Sequence, residues 1–259
     1  MSLPANRILA RARAGETALG MYVKTAAPEA VAVAGAAGLD FVRVDAYHGS
    51  MGPETTAGLL RAAYAAGVTP AVRLPKEPFA IMSALENGAQ QVTFPAVNFA
   101  AEAARLASWC RLPPRGEREA SRPLFTLGAS AAEYRRWAEE ELLVSVQVES
   151  ATGLANLAEI VAVEGVDMIQ CGRADLALSL GIRGGFTDPR VLEAEARVVE
   201  TALAAGKLVS MHFPPGAGMV ESARAWLARG IACLTIGGDT QLLDAAVRER
   251  LDAIRATTP

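Results

Sequence analysis

Two carboxylates close apolar runs in this 259-residue sequence: Glu149 ends "VSVQVE" and Asp175 ends "MIQCGRAD". An acid at the end of an apolar strand either caps the next helix or faces a site. Two such acids from neighbouring strands, with few imidazoles about, offer hard oxygen ligands. That donor set suits Mg²⁺ or Mn²⁺ with water positions left open, with Co²⁺ or Zn²⁺ as further candidates. The same pair could serve as the acid/base couple of a glycosidase. Arg73, in "TPAVRLP", and His48 fit an anionic substrate better than a sugar. Asp45 stands three residues before His48 in "FVRVDAYHGS", where the two either cap a loop or share a site. Further strand ends carry Lys24, His212 and Asp239, so both histidines of the chain fall at such ends. Each has a bland alternative: an acid can be an N-cap, an arginine a surface cation, His212 a packed ring ahead of Pro-Pro-Gly. Asp239 reads as the N-cap of the last helix, "TQLLDAAVRERLDAIRA".

The elements that must position these residues alternate along the chain. Eight β-rich runs are predicted at 18–25, 41–48, 69–75, 90–97, 142–150, 167–172, 208–214 and 231–238, each followed by an Ala/Leu-rich helical pattern. Gly38, Gly67, Gly88, Gly206 and Gly230 end helical stretches as C′ residues, and Asp188-Pro189 sets an N-cap with a first-turn proline. The fold class is therefore α/β, a single (β/α)₈ barrel domain over 1–259, with a doubly wound open sheet as the alternative. No Gly-x-Gly-x-x-Gly or phosphate-binding loop follows the first strand, which weakens that alternative. One long irregular stretch, 110–130, is rich in Pro, Arg and Gly; a loop of this length in a barrel is usually functional.

Composition narrows the partners. A net charge of −3 carries no electrostatic footprint for nucleic acid or an anionic membrane. No apolar run reaches the roughly 18 residues of a membrane span, and the N-terminus lacks the apolar core of a secretory signal. Cys110, Cys171 and Cys233 form no Cys-x-x-Cys pair and read as buried small hydrophobes in a cytoplasmic protein.

The residues also resemble the HpcH/HpaI family of metal-dependent 2-oxo-acid aldolases. The likeness runs from "GMYVKTAAPEAVAVAGAAGLDFVRVDAYH" through "VRLP", "VQVESATGLANLAEIVAVEGVDMIQCGRADLALSLG" and "GKLVSMHFP" to "TIGGDTQLLDAA". It implies a (β/α)₈ barrel assembled as a homohexamer, with the last helix exchanged between subunits through Leu242, Leu243, Ala246 and Leu251. It implies that Glu149 and Asp175 hold a divalent metal that chelates the carboxylate and keto oxygen of pyruvate and stabilises its enolate. Arg73 would contact the keto oxygen. Asp45 and His48 would form a proton-transfer dyad in which Asp45 orients the imidazole. Amides around Ala174 and Asp175 would bind the carboxylate, with Gln147 supporting the metal site. The implied substrates are a 2-oxo acid and an aldehyde.

Several positions depart from the family pattern. Tyr47 replaces an acid before the histidine, and Glu119 follows Arg118 where a glycine is usual. Arg173 stands for a proline before Ala174, and Ala177 for a serine. Tyr47, Arg118 and Arg173 are therefore the candidate contacts that would set the second substrate, with Arg173 either favouring an anionic acceptor or pairing with Glu119 or another acid. The lead expectation is reversible cleavage of a 4-hydroxy-2-oxo acid into pyruvate and an aldehyde. Oxaloacetate decarboxylation, another enolate carbon–carbon bond reaction of secondary metabolism, and a non-catalytic binding barrel are the alternatives.

Overall fold

The computed structural model describes residues 3–49, 51–119, 121, 123–216 and 218–256. Eight strands among them close into a parallel barrel in sequence order: β1 Ala18–Val23, β2 Phe41–Asp45, β3 Thr69–Arg73, β4 Gln91–Phe94, β5 Leu143–Val148, β6 Met168–Cys171, β7 Leu208–His212 and β8 Cys233–Gly238, with β8 pairing back to β1. The alternative open sheet is thereby excluded. Helices follow each strand, as the alternation requires. All five C′ glycines take positive φ, and Asp188 caps the helix Pro189–Ala204 through a bond from the Arg190 amide.

The strands are shorter than the sequence reading made them, chiefly at their C-terminal ends. β2 stops at Asp45 because its Oδ1 accepts the His48 amide at 3.1 Å, which turns the chain out of the sheet. His48 thus lies on a loop above the barrel mouth, not on the strand.

Residues two apart on a strand share a face, and here the two faces differ in chemistry. Val42, Val44, Val72, Val92, Val144, Val146, Ile169, Val209 and Met211 point outward into one continuous apolar layer beneath the helices. Inside the barrel, Phe41, Ala71, Leu143, Met168 and Cys233 form an apolar floor, closed from below by Ile8 of the helix Arg7–Arg13. Above that floor the interior turns polar. Arg43, fully buried, donates to Gln91 Oε1 at 3.2 and 3.1 Å, to Gln170 Oε1 at 3.4 Å and to Ser210 Oγ at 3.3 Å. The three cysteines are free and buried.

The described residues of the 110–130 stretch pack on the outside of the barrel. Arg111 pairs with Asp167, and Arg118 is buried with Nη2 donating to the Tyr134 hydroxyl at 2.6 Å. Asp239 is the first residue of the last helix, Asp239–Ala256, rather than the N-cap before it. Its carboxylate accepts the amides of Lys24 and Thr25, each at 3.0 Å, and the Thr25 hydroxyl at 2.5 Å, latching the end of β1 to the end of β8. Among the described residues no helix is long and apolar enough to cross a membrane.

Candidate active site

A cavity of about 280 Å³ opens at the C-terminal mouth of the barrel. Of the residues singled out from sequence, His48, Arg73, Gln147, Glu149, Arg173, Ala174 and Asp175 line it. Lys24 and His212 line it as well. Asp45 lies just beneath. Tyr47 is 41% exposed and sets its ring edge against His48, with centroids 4.7 Å apart, but does not reach the cavity. Arg118 is held on the outer side of the barrel by Tyr134, with Glu86 at 3.9 Å, so within this chain it contacts no part of the site.

Arg73 and Asp45 are register partners on β3 and β2, so their side chains rise side by side. Their contact is a fork: Nε to Oδ1 at 3.0 Å and Nη2 to Oδ2 at 2.6 Å. Nη1 reaches Gln147 Oε1 at 3.4 Å. Burial works to raise the Asp45 carboxyl, yet Arg73's hydrogen bonds and charge, the His48 amide and Lys24 together hold it below the usual carboxylate range. The expectation that Asp45 orients the His48 imidazole needs correction here. Both Asp45 oxygens are engaged by Arg73, and its link to His48 is through the backbone amide. Asp45 fixes the loop and the arginine; the ring of His48 stands free of it.

Glu149 follows β5 and is buried. Oε1 accepts the Ala96 amide at 2.8 Å, whereas Oε2 is sealed from solvent without a hydrogen-bond partner among the described residues. A buried carboxylate oxygen without a partner costs about 1–3 kcal/mol or more, so it marks a site that expects a positive ligand. Burial, reinforced by Asp175, pushes the Glu149 carboxyl up, against the pull of Ala96, Arg73 and Lys76. Two backbone details make room for this geometry. Ala96 has φ 49, a conformation costing a non-glycine about 1–3 kcal/mol, and is pinned there by Glu149 on its amide and by Lys76 Nζ on its carbonyl at 3.0 Å. At Gly172 an added Cβ would sit 2.0 Å from Glu149 Oε2, so only glycine leaves the carboxylate its place. Asp175 lies in the first turn of the helix Arg173–Ser179, whose first intrahelical bond runs from the Leu176 amide to Gly172 O. The amides of Arg173, Ala174 and Asp175 precede that bond.

Among the described residues no group of three or more His, Cys, Asp or Glu side chains converges as a complete metal cage. Two carboxylates, one of them with an unpartnered oxygen, fit the donor chemistry of a hard divalent cation, which Glu149 and Asp175 would hold. Arg173 resolves toward an acid other than Glu119: its Nε contacts Glu195 Oε1 at 3.1 Å, and its guanidinium lies 5.4 Å from the Phe213 ring centroid and 5.8 Å from that of Phe186. Burial pushes Glu195 up to about 7 against the pull of Arg173.

The sequence reading passed over Tyr22, Gln170 and Arg43. Tyr22 and Gln170 line the cavity and are joined by Gln170 Nε2 donating to the Tyr22 hydroxyl at 3.2 Å. A signal was present for Arg43: in "FVRVD" polar residues alternate with valine, which places them on the inward face. Nothing local marks Ala96.

Residues 18–244 match the HpcH/HpaI aldolase/citrate lyase family. The whole chain aligns at 34% identity with 96% of a hydroxypyruvate/pyruvate aldolase from Pseudomonas aeruginosa. It is 33% identical to a 2-keto-3-deoxy-L-rhamnonate aldolase from Shigella sonnei over 96% of this chain and 93% of that protein. A crystal structure of an HpcH/HpaI aldolase from Desulfitobacterium hafniense superposes with TM-score 0.89 at 25% identity over 97% of each chain. A family protein from Burkholderia cenocepacia superposes with TM-score 0.86 at 29% identity, over 97% of this chain and all of that one.

Proposed function

This chain belongs to the HpcH/HpaI aldolase/citrate lyase family, and on that premise we propose that it is a divalent-metal-dependent pyruvate aldolase, a carbon–carbon lyase. The observation that carries the reading is the unpartnered buried oxygen of Glu149, in one cavity with Asp175, Arg73 and His48.

Glu149 and Asp175 are the residues that would hold the cation, Mg²⁺ or Mn²⁺ by their donor type. When bound, it supplies Lewis-acid positive charge beside the carbonyl of the oxo-acid. Arg73, held by the Asp45 fork, directs a second positive charge at the keto oxygen, where negative charge grows as the enolate forms. The amides at Ala174 and Asp175 receive the carboxylate, and Gln147 braces Arg73. His48 takes a proton from the pyruvate methyl group. In the synthetic direction the resulting carbanion carbon bonds to the aldehyde carbon, and the aldehyde oxygen gains a proton to become the 4-hydroxyl. Cleavage runs the same steps backwards, so atoms and electrons balance without a redox partner.

The terminal helix supports a homo-oligomer, a hexamer by the family resemblance. It buries no residue within the chain, and Leu243, Val247 and Leu251 remain exposed along one stripe. Leu242 differs from the sequence expectation: it packs against its own barrel.

The direct test is exchange of pyruvate's methyl protons in deuterated water. Exchange is expected with Mg²⁺ or Mn²⁺ and is expected to stop after exhaustive chelation. Full exchange in the chelated protein would overturn the metal-dependent reading.

A further inference from the structure

Lys24 and His212 line the cavity on the side formed by β1, β7 and β8, and the aldolase steps leave both without a task. Lys24 has its base fixed by Asp239, which binds its amide at 3.0 Å. Its ammonium is weakly paired: the nearest acid, Asp45 Oδ2, is 3.9 Å away and already takes Arg73 at 2.6 Å. It is a cation, partly desolvated and anchored, and among the described residues its ion pair is the long one to Asp45. Such a group favours a ligand that brings a negative charge.

His212 offers complementary chemistry. Its Nδ1 lies 2.8 Å from Thr235 Oγ1, and that hydroxyl donates its one hydrogen to the Met211 carbonyl at 3.2 Å. In the tautomer that leaves the Thr235 hydrogen on Met211, Thr235 accepts from His212, Nδ1 carries the ring proton, and Nε2 is the acceptor. Burial first, then the charges of Arg43, Lys24, Arg73 and Arg173, push the imidazolium down to about 4, so the ring is neutral at physiological pH. A neutral acceptor repels a carboxylate and binds a hydroxyl hydrogen.

We infer that this side of the cavity is the acceptor subsite, and that it selects a short aldehyde bearing both an anionic group, met by Lys24, and a hydroxyl group, met by His212 Nε2. The inference rests on the pyruvate reading of the other side. A hydroxyl-binding acceptor left unpaired by a deoxy substrate discriminates strongly, whereas an apolar contact does not.

The experiment measures kcat/KM with pyruvate as donor for propanal, glyceraldehyde, succinic semialdehyde and glyceraldehyde 3-phosphate. The wild-type protein is expected to prefer glyceraldehyde 3-phosphate over propanal by at least about 10²-fold, roughly tenfold from each feature. Succinic semialdehyde against propanal reads a carboxylate without a hydroxyl, and glyceraldehyde 3-phosphate against glyceraldehyde reads a phosphate with the hydroxyl held constant. Lys24→Met is expected to cut the anionic-to-neutral ratio roughly tenfold, and Lys24→Arg to restore it. His212→Phe is expected to cut the glyceraldehyde-to-propanal ratio roughly tenfold. Each readout is a ratio between aldehydes on one protein, so a general loss of activity cancels. A wild-type protein without these preferences overturns the subsite even if no variant folds, and so do ratios that neither substitution moves. Pyruvate methyl exchange in the wild type separates the two failures. Exchange without aldehyde discrimination sinks the subsite alone, and absence of exchange sinks the pyruvate reading and the subsite together.

Discussion

The outer and inner faces of the same eight strands obey different rules. Outward, Val, Ile and Met side chains meet the helices in an apolar layer that asks only for shape and volume. Inward, above the floor of Phe41, Ala71 and Leu143, the strands carry Arg43, Gln91, Gln170 and Ser210, each bonded to another. That polar layer is costly to bury, and it supports the reacting groups at the mouth. The difference teaches that one strand can contribute stability through one face and chemistry through the other. Arg43 and Asp45 of β2 stand on the inner face between the outward Val42 and Val44.

If the division holds, damage to the inner rim should remove activity and spare the fold. Glu149→Gln removes the charge that makes the unpartnered Oε2 a cation ligand, and its effect should be the largest. Divalent-metal binding, followed by calorimetry, is expected to vanish and aldol activity to fall by at least about 10²-fold, with an unchanged circular dichroism spectrum. Retained metal affinity would move the cation elsewhere.

His48→Ala comes next. Methyl-proton exchange is expected to slow by about 10²–10⁴-fold while metal affinity holds. Asp45→Asn should be milder in exchange but should lower thermal stability, because it breaks the buried fork with Arg73. The acid dependence follows from the lowered Asp45 carboxyl. Its stabilisation is complete above its ordinary value of 3.8 and drains away as pH falls through the lower native value. The Asn variant should lose that acid limb. An unchanged limb would show that the fork contributes no pH dependence.

The outer face should behave in the opposite way. Leu60 of the helix Pro53–Ala65, fully buried in the apolar layer between helices and strands, is expected to cost about 2–5 kcal/mol of stability as Leu60→Ala. Turnover per folded molecule should stay within a few-fold at low temperature. A large loss of kcat in protein shown to be folded would mean that the two faces are coupled.

The smallest effect probes the inner layer at long range. With two histidines in the chain, proton NMR can follow each ring separately. His212 is expected to titrate near 4, and Arg43→Met to move that value upward, though short of 6.5 because burial is the larger cause. No movement would remove Arg43 from the electrostatics of the site.

Much of this was legible in the sequence because it is local. Strand–helix alternation, the C′ glycines and the cap at Asp188 depend on residues a few positions apart, and each stands in the structure where the pattern put it. Glu149, Asp175, Arg73 and His48 were legible as strand-end chemistry and through the family resemblance. Arg118 was misplaced for a physical reason: a loop motif states no destination, and this loop folds outward onto Tyr134. Asp45 was found, but its partner was not, since the acid-to-imidazole spacing in "DAYH" suggested a side-chain contact that the Arg73 fork pre-empts.

By itself the sequence determined the order of the elements, the face on which each strand residue lies and the set of reactive groups at the strand ends. Backbone geometry fixes those over one or two turns of chain. Closure of the barrel decided the rest. It brought Asp239 to Lys24, Ala96 to Glu149 and Gln170 to Arg43, contacts separated by 215, 53 and 127 residues. It also withdrew water from them. Burial, which no local pattern states, gives Glu149 an oxygen without a partner and keeps His212 neutral.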